Sequence, residues 1–317
     1  MKTQLQALMI SMGILLSTIV AAQTVTIDLN TEYQSISGFG GVNMPGWIND
    51  LNPDQVDKAF GNDPGQIGLS ILRIRVPNDS NQFYREVPTA LQAHEHGAII
   101  LASPWSPPAY MKSNNNLVGG FLLPEYYDAY AGHLKQFATF MIDSGAPLYA
   151  VSLQNEPDIE VSYESCDWSA QQFIDFLEQE GPGFDTLRVV APESFQFRRP
   201  LSDSILNDTE AEPHVDIIGG HIYGGGLFDY PLARDKGKEV WMTEHLTGSS
   251  SPEANDWELA LALGTEINEC MKANFNAYIW WYIRRFYSLI NDDGNITQKG
   301  YVMSHFSKFI RPSAVRV

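Results

Sequence analysis

Two carboxyl groups in this sequence stand where short apolar runs stop. Glu156 follows the run Ala150–Gln154 in Ser152-Leu153-Gln154-Asn155-Glu156-Pro157, and Glu244 closes the run Val240–Glu244 in Trp241-Met242-Thr243-Glu244-His245. A single Glu in an acidic chain is ordinarily a solvated surface charge. Two acids, each ending an apolar strand-type run, direct their side chains toward one mouth. A facing carboxyl pair suits glycoside hydrolysis, in which one group protonates the leaving oxygen and the other attacks the anomeric carbon. That division of labour needs unequal pKa values: an ionised nucleophile raises its neighbour by repulsion, and an adjacent Arg or Tyr keeps the nucleophile itself ionised. Arg73 or Arg75, ending the second run, and Tyr223, just past the sixth, are the candidates for that support, with a structural ion pair as the alternative for each Arg. His221 and His245, also at strand ends, read as hydrogen-bond partners of carboxylates rather than as metal ligands.

The elements that must position these groups alternate between short β-type runs and longer segments of helical period. Eight β-type runs fall at Ile36–Val42, Leu69–Val76, Ala98–Ser103, Ala150–Gln154, Leu187–Ala191, Ile217–His221, Val240–Glu244 and Ala277–Trp281. Several, such as Ile99-Ile100-Leu101, are continuously apolar, as strands covered on both faces are. Helices are expected around Pro53–Phe60, Pro88–His96, Pro124–Ser144, Ala170–Glu180, Asp256–Ala273 and Thr297–Phe309, with weaker ones after the fifth and sixth runs. Pro124 suits a first helical turn, and Gly97 and Gly145 suit C-terminal stops. Eight β/α units in this length predict an α/β fold, a (β/α)8 TIM barrel, whose reactive residues belong at the C-terminal ends of its strands. A doubly wound sheet would bring a glycine-rich phosphate turn, and Gly38-Phe39-Gly40-Gly41 has neither that spacing nor an immediately following helix. Val25–Leu29 is a further β-type stretch without a partner in the count.

Composition removes other classes. With 20 Lys+Arg against 38 Asp+Glu the net charge is −18, and no cationic cluster exists to follow a phosphate backbone, so nucleic acid is excluded as a partner. The 7 Trp and 14 Tyr argue against disorder and fit a cleft that stacks on sugar faces. Lys2, the apolar run Ala7–Val20 and the small residues Val20-Ala21-Ala22 read as a signal peptide cleaved after Ala22, giving a secreted or periplasmic protein with no membrane span. Cys166 and Cys270 lack the spacing of a disulfide framework or zinc site and are expected as buried free thiols. Neither an H-E-x-x-H motif nor a phosphate loop is present, so no metal or organic cofactor is implied. Three sequons, at Asn78, Asn207 and Asn295, are read as chance matches.

Five segments in order carry a resemblance. They are Gly38-Phe39-Gly40-Gly41-Val42-Asn43-Met44-Pro45-Gly46-Trp47, Ala102-Ser103-Pro104-Trp105-Ser106-Pro107-Pro108, Gln154-Asn155-Glu156-Pro157, Trp241-Met242-Thr243-Glu244-His245 and Trp280-Trp281-Tyr282-Ile283-Arg284-Arg285. From about Gln34 to Pro312 the sequence resembles the glycoside hydrolase family 30 xylanases, especially the bacterial glucuronoxylanase branch. The resemblance implies a retaining endo-β-1,4-xylanase with Glu156 as acid/base, Glu244 as nucleophile and Asn155 on the sugar 2-hydroxyl. It also implies xylose subsites lined by Trp47, Trp105, Tyr163 and Trp281; Trp280, on the neighbouring strand position, is expected to point the other way. Arg285 matches the position that clamps a glucuronate carboxylate, a bidentate task suited to guanidinium, with Tyr287 and Ser249 as its helpers.

Two departures qualify the resemblance. Where the family has a Tyr two residues after the nucleophile, this chain has Leu246, which removes a hydroxyl donor. The resemblance also implies a C-terminal β-rich side domain after Pro312, which the sequence, ending at Val317, is expected to lack, through truncation or by doing without it. The expected organisation is thus a signal peptide (1–22), an N-terminal strand segment (23–33), the catalytic barrel (34–312) and a C-terminal stub (313–317). The barrel is expected to be a monomer acting on glucuronoxylan and less stable than a relative with the side domain. A chain at −18 repels a polyanion, so Arg284 and Arg285 are expected to form a local cationic patch. Two alternatives stand beside this reading: a relaxed-specificity β-glycanase acting on undecorated xylan, favoured by Leu246, and a non-catalytic carbohydrate-binding barrel.

Overall fold

The computed structural model describes residues 26–250 and 253–317; the expected signal peptide lies outside them. Eight parallel strands close into a barrel: β1 (Gly38–Val42), β2 (Ile71–Val76), β3 (Ile99–Pro104), β4 (Ala150–Ser152), β5 (Arg188–Ser194), β6 (Ile217–His221), β7 (Glu239–His245) and β8 (Ala277–Trp280), with β8 returning to β1. A helix follows each: α1 (Pro53–Phe60), α2 (Val87–Glu95), α3 (Tyr127–Asp143), α4 (Ala170–Glu180), α5 (Arg199–Asn207), α6 (Pro231–Asp235), α7 (Trp257–Lys272) and α8 (Gln298–Ser307). Local signals start and stop these helices. Asn52 with Gln55 and Ser169 with Gln172 form capping boxes on α1 and α4, and Thr297 caps α8. Gly97 and Gly145, at φ +88° and +81°, follow α2 and α3 in the left-handed conformation that ends a helix. Among the described residues no helix is long and apolar enough to cross a membrane.

Side chains divide into two apolar layers, as alternation along barrel strands requires. Ile71, Leu101, Val190, Ile217, Trp241 and Ile279 fill the barrel interior, while Leu72, Ile100, Val151, Ala191, Ile218 and Met242 pack outward against the helices. The glycines of the first motif serve this packing: a Cβ on Gly40 would sit 2.4 Å from the Ile71 carbonyl oxygen, and one on Gly41 2.5 Å from Ile283 Cγ1. They permit close contact between strands.

Near the chain ends the structure differs from expectation. The run Ile36–Val42 is not one strand, because Gly38 at φ +146° turns the chain after Ile36. Ser35–Ile36 pairs antiparallel with Ala314–Val315, so residues placed in the C-terminal stub carry a ribbon strand. Of the stretch Val25–Leu29, Val25 lies outside the described residues and Thr26–Leu29 forms no strand. There the Asp28 carboxylate accepts from the Asn30 amide and the Thr31 hydroxyl, which bends the backbone into a turn. Cys166 and Cys270 are buried free thiols, as expected.

Candidate active site

At the C-terminal end of the barrel, five ionisable side chains are almost wholly out of solvent: Arg73, Glu193 and His221 at 0% exposure, Glu156 at 4% and Glu244 at 6%. Arg73 follows Ile71 by two on β2 and therefore shares its inward face. Its guanidinium is fully engaged. Nη1 donates to Glu244 Oε2 (2.6 Å), Nη2 to Asn155 Oδ1 (2.6 Å) and Nε to Ser103 Oγ (3.1 Å), and Nη2 also lies 3.0 Å from Glu193 Oε1. Of the two arginines considered, Arg73 supports the carboxyl pair. Arg75 instead pairs with Glu164 at 2.5 Å and lies over the Trp47 ring.

Strict alternation would not bring Glu244 and Glu193 here. Trp241 faces inward and Met242 outward, so Glu244 would face the helices. The β6–β7 ladder steps from Gly220↔Met242 to His221↔Glu244, and the extra residue re-aims Glu244 into the mouth. On β5 a similar irregularity falls between Pro192 and Ser194, with Glu193 at φ +57°. Glu156, beyond the end of β4, sits at φ +47°. Such positive angles are unusual for a residue with a side chain and cluster where the surrounding structure enforces them.

The two carboxyls face each other with different neighbours. Glu244 Oε1 accepts from the Tyr223 hydroxyl at 3.0 Å. Glu156 Oε2 accepts from Tyr163 at 2.9 Å, and its Oε1 lies 2.9 Å from His221 Nδ1. One oxygen of Glu156, one of Glu244 and one His221 nitrogen all lie within 4.8 Å of one another. Three donors at that spacing could hold a metal ion, but the Arg73 guanidinium already binds Glu244 and would oppose a second cation.

Burial lowers His221, yet the charge of Glu244, the hydrogen bond to Glu156 and the nearby Glu193 overcome it and raise the imidazole to about 9. Burial raises Glu193, but Arg73 and His221 bring it down to about 2, so it is a permanent anion. For Glu156, burial is outweighed by His221, Tyr163 and Arg73, and the carboxyl is lowered. For Glu244, burial reinforced by the charge on Glu156 prevails over His221 and Arg73, and the carboxyl is raised. The groups titrate as a unit. Passing the His221 proton to Glu156 removes both the repulsion of Glu156 and the larger attraction of His221, which leaves Arg73 and Tyr223 as the groups that favour ionised Glu244.

Around this centre runs an aromatic belt. Ring centroids lie 6.0 Å apart for Tyr163–Trp47, 5.5 Å for Trp47–Trp105, 5.9 Å for Trp105–Trp281 and 3.9 Å for Trp281–Tyr282. Trp105 is buried beneath the Arg73 guanidinium, 4.8 Å from ring centroid to Cζ, so it forms the floor. Trp280 is fully buried in the outer layer, opposite Trp281 as alternation requires.

The proposed side-group residues are arranged differently. Arg285 is exposed, with its guanidinium 5.9 Å from the Tyr282 ring centroid, and Tyr287 is buried. Ser249 is exposed in the turn after β7, and among the described residues no hydrogen bond joins it to either. Arg284 does not share a cationic patch with Arg285: its Nη2 donates to the Asn49 carbonyl at 2.9 Å and its Nη1 lies 4.0 Å from Asp292. His245 is tied to Glu266 at 2.8 Å, outside the carboxyl pair. Sequence reasoning missed Glu193 and Ser103; Ala191-Pro192-Glu193, just past the expected fifth run, was the available signal.

No family model matches the sequence. Among curated proteins, the glucuronoxylanase XynC of Bacillus subtilis (strain 168) is 46% identical over 309 residues, 94% of this chain and 72% of that protein. Among solved structures, the glycoside hydrolase family 30 subfamily 8 xylanase Xyn30A of Clostridium acetobutylicum aligns with a TM-score of 0.82 at 42% identity, covering 89% of this chain and 74% of the other. The chain belongs to glycoside hydrolase family 30. A family 30 endoxylanase of Clostridium papyrosolvens C71 has the same TM-score, 0.82, at 34% identity over 93% of this chain and 78% of its own. As a family 30 glycoside hydrolase, the protein has its two facing carboxyls at the mouth of the barrel, where such chemistry belongs.

Proposed function

We propose that this family 30 enzyme is a secreted, monomeric endo-β-1,4-xylanase that cleaves glucuronoxylan with retention of configuration, guided by the glucuronic acid side group. The separation of the two carboxyls carries the reading. Retaining glycosidases set them about 5–5.5 Å apart and inverting ones about 6.5–9.5 Å; here oxygens of Glu156 and Glu244 approach within 4.8 Å. Glu244 is the nucleophile. As its oxygen bonds to the anomeric carbon, the glycosidic C–O bond breaks and Glu156 gives its proton to the leaving oxygen. Water then attacks the same carbon, Glu156 takes the water's proton, and Glu244 is released as carboxylate. His221 supplies and recovers the Glu156 proton through the 2.9 Å contact. Arg73 occupies Asn155 Oδ1 and thereby turns the amide nitrogen toward a substrate hydroxyl, a contact that counts most if it strengthens in the transition state.

Substrate choice follows the belt and the loop after β8. Trp47, Tyr163 and Trp281 offer faces for the C–H surfaces of xylose, whereas Trp105, expected beside them, is buried under Arg73 and supports them from below. The exposed Arg285 beside Tyr287 offers a guanidinium to a uronate. The glucuronoxylanase name of the Bacillus subtilis relative supports the same substrate. Secretion rests on the segment ending at Ala22 and is checked by mass analysis of exported protein. A second reading, activity on undecorated xylan without side-group guidance, is favoured by Leu246, which packs on the outer apolar layer and has no hydroxyl to offer. Digesting glucuronoxylan and unsubstituted xylan and weighing the products separates them. Products carrying one uronic acid each support guidance, equal digestion of both supports the second reading, and no products from either would leave an inert binding barrel.

A further inference from the structure

Lys299, in the first turn of α8, is fully buried, yet among the described residues no carboxylate pairs with it. Its ammonium donates to the Thr247 carbonyl at 2.8 Å and to the Tyr287 carbonyl at 3.1 Å, and it lies 5.1 Å from the centroid of the Trp280 ring. Thr247 is two residues before Ser249, and Tyr287 is two after Arg285. Burying an ammonium is costly, and only a donor with several N–H groups on one atom gathers two carbonyls and a ring face. Nearby bonds stitch the same segments. The cap Thr297 donates to the Ser288 carbonyl at 2.6 Å, and the Asn255 side-chain amide donates to the Phe286 carbonyl.

We propose that Lys299 is a positioning residue for side-group recognition, fastening the loop after β7, which bears Ser249, to the loop after β8, which bears Arg285 and Tyr287. The inference rests on the reading of glucuronate as the guide. Lys299 touches neither Glu156 nor Glu244, so its removal acts on the spacing of the side-group loops and leaves the carboxyl pair in place.

The ammonium also gives this contact a pH dependence. Burial pushes Lys299 down to about 8 against the opposing charge of Glu266, so the charge is present below that pH and lost above it. The titratable groups around it are Glu266 on α7, which also bonds His245 and Tyr278, and Tyr287, which burial raises despite Arg285. His221 titrates in the same range but acts on both substrates, so it cancels in their ratio.

The test measures kcat/KM on glucuronoxylan and on unsubstituted xylan from pH 6.5 to 9.5, for the wild type, Lys299→Met and Lys299→Arg. Lys299→Met is expected to cut the glucuronoxylan-to-xylan ratio about tenfold, the effect of losing one good hydrogen bond, while activity on plain xylan stays within about twofold. The wild-type ratio should fall as pH passes about 8, and the Lys299→Met ratio should stay flat. Lys299→Arg, which keeps the charge, should hold its ratio through that range. Equal losses on both substrates, or an unchanged ratio in Lys299→Met, overturn the proposal while the guidance reading survives. A wild-type ratio near one overturns both. Should Lys299→Met fail to fold, Lys299→Gln takes its place, and an unchanged ratio in that variant refutes the proposal.

Discussion

On the barrel strands themselves, Arg73 in β2, Glu193 in β5, His221 in β6 and Glu244 in β7 are buried. Each holds at least two polar partners there. On the loops after β7 and β8, Ser249 and Arg285 are exposed, and the structural support comes from Lys299 and Thr297 behind them. The difference separates two requirements. Bond cleavage needs charges held in fixed places in a low dielectric, where removing one member strands the others. Choosing a decorated chain needs only an accessible guanidinium, whose worth is limited by solvent and salt. A family sharing the first half can therefore vary the second without rebuilding the barrel.

Substitutions on the two sides should differ in size and in kind. The largest effect is expected at the carboxyl pair, where Glu244→Gln should lower kcat on both substrates by about 10⁴-fold or more with little change in fold. A loss confined to glucuronoxylan would erase the contrast between the halves.

Next comes Glu193→Gln, which touches no substrate. The working form keeps a proton on the His221–Glu156 pair, and Glu193 is an anion that helps hold it there. Removing that charge lowers His221, so the alkaline limb of kcat/KM, set near 9 by His221, should move about one pH unit toward acid on both substrates. A lower plateau with an unmoved limb would reduce Glu193 to a packing role.

How much of this was legible in the sequence follows the same division. The eight strands, the stops at Gly97 and Gly145 and the capped helices announce themselves through apolar runs and local turn chemistry, which act over a few residues. Glu156 and Glu244 were visible because each ends such a run. Glu193 was not, because alternation from inward-facing Val190 assigns it outward with the helices, and the β5 irregularity that reverses it depends on pairing with β6. The choice between Arg73 and Arg75 was likewise undecidable from spacing, since both share a strand face and only Glu164, 89 positions beyond Arg75, draws one away. Arg284 and Arg285 look alike in sequence and differ in the structure because the Asn49 carbonyl engages the first.

On the looser side, Arg285→Ala should reduce kcat/KM on glucuronoxylan by about 10- to 100-fold, as loss of a charge-assisted pair does, and leave plain xylan within about twofold. An equal loss on both substrates would make Arg285 structural. The smallest change is expected from Leu246→Tyr, which restores a hydroxyl donor and should raise preference for glucuronoxylan by about two- to fivefold. A fall in that preference would show that the packing of Leu246 on the outer layer matters more than the hydroxyl.

The central claim, that Glu156 and Glu244 work across a gap too narrow for an inverting water, is tested most directly by following the anomeric proton of the newly formed reducing end by NMR in the first minutes of digestion. The β-anomer must appear first, with the α-anomer growing only at the rate of mutarotation; α-anomer formed first would contradict the double displacement.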